Sequence, residues 1–145
     1  MRTLLQHALS GLPALALCLT VGLVLPGTAL ATPQLLCTVS QSGTERTLSA
    51  TPTRNPYGVP ATDIQGHFRF KPVVVGDANS IEYVSIQTYV QTPRGPVLLH
   101  QVGYTHPPLP EGPDSTLPLG GIHAVYAPGL GRELRYACIL REAKP

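Results

Sequence analysis

The chain has 145 residues, with ten Lys and Arg against eight Asp and Glu, a formal net charge of +2. Charged residues make up only 12% and form neither a run nor a basic stripe, which excludes the electrostatic footprint of a nucleic-acid binder. The length suits one domain, and no internal repeat points to a solenoid or a propeller.

Residues 1–31 read as a cleavable export signal. Arg2 is the only charge before Glu45, an apolar run covers residues 9–25, and Pro26 and Gly27 end it. Ala29, Leu30 and Ala31 then place small residues at both positions that a signal peptidase reads. The competing reading is an uncleaved anchor, since the run approaches the short end of a membrane-spanning helix. The well-placed A-x-A site favours cleavage. Lipid attachment at Cys18 fits poorly, because Leu17 stands where a small side chain is needed. The expected mature domain is 32–145, periplasmic or secreted, with no membrane insertion after cleavage.

Within that domain the dominant period is two, the period of strands. The first strand is expected over residues 35–41, with Leu35, Cys37 and Val39 on one face. Ser42 and Gly43 turn the chain into a weaker strand at 45–51, and a Pro-rich loop follows over 51–62 with Asn55, Pro56, Tyr57 and Gly58 at its centre. Residues 64–71 alternate strictly, apolar or small at even positions and polar at odd ones, which reads as one half-buried strand with His67 facing solvent. After a turn at 76–80, residues 81–91 place Val84, Ile86 and Val90 on one face and Tyr83, Ser85, Gln87 and Tyr89 on the other. Weaker strands are expected at 97–105 and 121–127, separated by the Pro-rich stretch 106–120. The last strand, 133–142, puts Leu134, Tyr136, Cys138 and Leu140 together.

Cleavage removes Cys18 and leaves Cys37 and Cys138, an even count that reads as a disulfide in an exported protein. Each cysteine falls on the apolar face of its own strand, so the expected bridge is buried and ties the first strand to the last. About seven short strands with a buried cystine point to an all-β fold, a single antiparallel sandwich of immunoglobulin-like architecture. The tryptophan that packs on the antibody cystine is missing and the pairing differs, so a small antiparallel barrel is the alternative.

No reaction machinery is legible. There is no G-x-S-x-G, no S-x-x-K and no C-x-x-C, and nothing among the eight acids singles out a carboxylate pair. Asp77, Asn79 and Glu82 offer oxygens across a turn, yet lack the spacing of a calcium loop and are explained by turn chemistry. Four histidines remain after cleavage. His100, Tyr104 and His106 share parity, and His123 follows the Pro-rich stretch, so His100, His106 and His123 are the candidate ligands for copper or zinc. The candidate contact surface is Tyr57, Tyr83, Tyr89, His106, Pro107, Pro108 and Pro110, which combines aromatic residues with a stiff loop. The leading expectation is therefore a non-enzymatic binding or accessory module without a cofactor, acting on another envelope or extracellular protein. A copper- or zinc-handling protein is the alternative, and an unrecognised small hydrolase the third reading.

Overall fold

The computed structural model describes residues 32–112 and 114–143, so the expected export signal lies outside the described residues. Among the described residues there are nine strands: β1 (Pro33–Gln41), β2 (Thr44–Ala50), β3 (Pro52–Thr53), β4 (Thr62–Ile64), β5 (Phe68–Gly76), β6 (Ile81–Thr92), β7 (Gly95–Thr105), β8 (Thr116–Ala127) and β9 (Arg132–Glu142). They form two packed sheets, a β-sandwich. One sheet runs β2-β1-β9-β8 and the other β3-β5-β6-β7, with β4 also paired to β5. Every pairing is antiparallel except β3 with β5.

Turn chemistry sets the hairpins. Gln41 pairs with Thr44, and the two residues between them, Ser42 and Gly43, both have positive φ (48° and 80°), as a two-residue hairpin requires. At the β5–β6 turn, Asp77 Oδ1 accepts from the backbone N–H groups of Asn79 (2.9 Å) and Ser80 (3.1 Å).

One expected strand is broken. Residues 64–71 do not run as a single strand: the chain reverses at Gln65, Gly66 and His67, and Ile64 pairs directly with Phe68. Gln65 and Gly66 have positive φ, and Asp63 Oδ1 accepts from the Gly66 N–H at 2.8 Å. His67 is half-buried in this turn rather than on a solvent-facing strand. Beyond Lys71 the strand continues through Pro72 to Gly76. Pro72 is tolerated because β4 covers β5 only at Phe68–Phe70 and β3 only at Val74–Val75, leaving Pro72 between them.

The core lies between the sheets. Leu35, Cys37 and Val39 from β1, and Leu134, Tyr136, Cys138 and Leu140 from β9, face Phe68, Phe70, Val74, Val84 and Ile86. Phe70 and Tyr136 meet edge to face across the gap, with ring centroids 5.1 Å apart. Cys37 and Cys138 are bonded and directly opposite in the β1–β9 ladder, so the bridge is buried but stays within one sheet.

Candidate functional site

Two places on this scaffold concentrate chemistry. The first is the outer face of the β5–β6–β7 sheet. Strand alternation brings Lys71, Val73 and Val75 from β5, Tyr83, Ser85 and Gln87 from β6, and Gln101 from β7 to this side. The turn at Pro56–Gly58 folds over β5, so Val73 is only 4% exposed although it faces outward. Between that turn and the sheet runs a groove of about 240 Å³ with Pro56 and Tyr57 on its wall. Tyr57 is 93% exposed, the most open large apolar side chain among the described residues. A chain of hydrogen bonds fixes the polar groups: Tyr89 Oη donates to Gln87 Oε1 (2.6 Å), and Gln87 Nε2 donates to Ser85 Oγ (3.3 Å). A Cβ at Gly103 would meet the Tyr83 phenol, so glycine there lets that ring lie across β7.

The second is a polar seam inside the sandwich, where β7 at the edge of one sheet faces β8 at the edge of the other. β7 carries a bulge: Thr88 pairs with His100, but Tyr89 pairs with Leu98, so Leu99 is extra. β8 carries a wider one, since Leu119 pairs with Cys138 and Ile122 with Ala137, leaving out Gly120 and Gly121. His123 then stands opposite Tyr136. Its ring stacks on Tyr136 at 4.7 Å and lies 5.4 Å from the ring of His100. His100 Nε2 and Tyr136 Oη share a hydrogen bond of 2.9 Å. Tyr104 enters from β7, and its Oη lies with His123 Nε2 over the Cα of Gly120, in space that a Cβ there would fill.

The seam is under-satisfied. Tyr104 Oη, His123 Nε2 and Thr88 Oγ1 are buried without a hydrogen-bond partner. Each such group costs about 1–3 kcal/mol relative to a paired one. Burial, and then the neighbouring His100, holds the His123 imidazole below its ordinary value of 6.5, disfavouring its charged form. Burial pushes the Tyr104 phenol up. Burial, and then Tyr104, pushes the Tyr136 phenol up as well.

The expected site residues divide between these places. Tyr57 and Tyr83 line one groove, and Tyr89 joins them through Gln87. In the segment after β7, His106 and Pro108 are exposed, whereas Pro107 and Pro110 are buried and Leu109 packs on the core. That loop is pinned inward by half of its expected contact residues. Of the expected metal ligands, His100 and His123 come together and His106 does not. β7 ends at Thr105, the His106 backbone turns to φ 47°, and its N–H donates to the Glu82 carbonyl at 2.9 Å. Among the described residues no three His, Cys, Asp or Glu side chains are grouped to hold a metal. Sequence reasoning missed Tyr136 and Thr88 as members of the seam. The signal for Thr88 was present, a hydroxyl at the inward parity of Val84 and Ile86. No protein-family model, curated protein or solved structure matches the chain.

Proposed function

We propose that this is an exported, non-enzymatic binding or accessory module that acts by contact with another protein through the outer face of β5–β6–β7. The observation that carries the reading is the groove beside Tyr57, where an exposed aromatic ring shares a wall with Tyr83, Gln87 and Gln101 on the sheet. Tyrosine offers a large contact area at low conformational cost, and the hydrogen-bonded Gln87 supplies a fixed polar contact. The formed disulfide suits an oxidising compartment, in keeping with export to the periplasm or beyond. An inhibitor of a periplasmic enzyme belongs to the same class.

Site-specific photocrosslinking in living cells tests the reading. A crosslinker at Tyr57 is expected to trap one protein of defined mass. The same group at Thr47, on the exposed strand β2, is expected to trap none. Tyr83→Ala together with Gln87→Ala should weaken the Tyr57 adduct about tenfold or more. Equal capture from both positions, or none from Tyr57, overturns the proposal.

A further inference from the structure

The seam between β7 and β8 holds a donor set that the contact surface does not use. Two imidazoles lie 5.4 Å apart, centroid to centroid, with two phenols around them: Tyr136 bonds His100 Nε2 at 2.9 Å, and Tyr104 Oη faces the same space over Gly120 as His123 Nε2. With Tyr136 Oη committed to His100 Nε2, the donors left for an ion are His100 Nδ1, His123 Nε2 and Tyr104 Oη, a nitrogen and oxygen set of the kind that Cu(II) takes. Among the described residues no carboxylate or thiolate joins the two imidazoles in a metal-holding group, as calcium or a closed zinc site would want.

We propose that His100, Tyr104 and His123 form a copper(II) site inside the sandwich, with Tyr136 holding the His100 ring. Three independent features support the placement. Two donor atoms, Tyr104 Oη and His123 Nε2, are buried and unpartnered, and both face the space over Gly120. The strand β8 spends two extra residues, both glycine with φ 78°, to leave room for them. Tyr136 is fixed on both sides, by Phe70 at 5.1 Å and by the stacked His123 at 4.7 Å, so it orients His100 as an outer partner orients a metal-bound histidine. Binding of copper at Tyr104 forms a copper–oxygen bond and releases the phenol proton to solvent, with no change of oxidation state. Tyr104 therefore replaces His106 as the third ligand expected from sequence.

Copper(II) chloride titrated into the mature protein provides the test. One equivalent is expected to bind with a dissociation constant below about 10 μM. A phenolate-to-copper charge-transfer band in the visible should grow with it. Tyr104→Phe removes only the hydroxyl, and is expected to abolish the band and weaken binding about tenfold or more. His123→Gln should do the same, with near-ultraviolet circular dichroism confirming that both variants are folded. The double variant His67→Ala, His106→Ala should leave affinity and band unchanged. No binding in this range, a band that survives Tyr104→Phe, or binding lost only in the His67/His106 variant overturns the assignment. So does uptake of zinc in preference to copper.

Discussion

At the scale of single residues, His123 is the side chain whose environment has the clearest measurable consequence. Its imidazole is half-buried, stacked on Tyr136 and beside His100, and this burial and then His100 disfavour the charged ring. The folded-state value lies below the unfolded one, so the unfolded chain binds the proton first as the pH falls. The stabilisation from the neutral ring is complete above the ordinary value of 6.5 and is lost as the pH drops through the depressed folded value. Thermal melts of metal-free protein, held in chelator, are expected to fall between pH 7.5 and pH 5. His123→Gln removes the titrating group and should flatten that slope. An unchanged slope in the variant would assign the pH dependence to another group.

At the scale of elements, the two bulges at the seam explain both what β8 needs and what sequence reading could reach. Gly120 and Gly121 share a φ of 78°, but only at Gly120 would a Cβ meet other atoms, those of Tyr104 and His123. Gly121→Ala should therefore cost only the left-handed backbone strain, about 1–2 kcal/mol. Gly120→Ala carries the same strain plus the collision, and is expected to cost at least about 1 kcal/mol more in urea unfolding. Equal losses would mean that the seam gives way freely. The same elements mark the limits of alternation as a guide. It located β1 and β9, and the inward cysteines, because those strands pair without irregularity from end to end. It merged β4 with the start of β5 because a three-residue turn places Ile64 opposite Phe68. Both then face the core, as they would in a continuous strand. It stopped β5 at Lys71 because Pro72 reads as a breaker, although the sheet leaves that position uncovered. It ended the loop too late at 120, since Pro118 sits in β8, an edge strand where a missing N–H is harmless. The meeting of His100 with His123 was beyond it. That contact depends on two bulges and on the edges of two sheets facing each other, neither of which has a period.

At the scale of the whole molecule, the disulfide joins neighbours that are already paired by a nine-residue ladder, within one sheet of two. It therefore does not hold the sandwich together in the folded state; Phe70 against Tyr136 and the apolar side chains around them do that. Its effect falls mainly on the unfolded chain, where it closes a loop with a sequence separation of 101. In the chain-entropy picture such a loop contributes roughly 4–5 kcal/mol, and removal of native bridges typically costs about 2–5 kcal/mol. The expected outcome for Cys37→Ala with Cys138→Ala is a protein that keeps its near-ultraviolet spectrum at low temperature. Its melting point should fall by roughly 10 °C or more. If the variant is unfolded at all temperatures, the bridge has a larger role than the ladder geometry allows. A thiol count on the wild-type protein, taken from its native compartment and unfolded without reductant, probes the export reading in the same experiment. Zero thiols are expected if Cys18 has left with residues 1–31 and Cys37 is bonded to Cys138. One thiol would mean that Cys18 is retained, and two or more that the bridge does not form in that compartment.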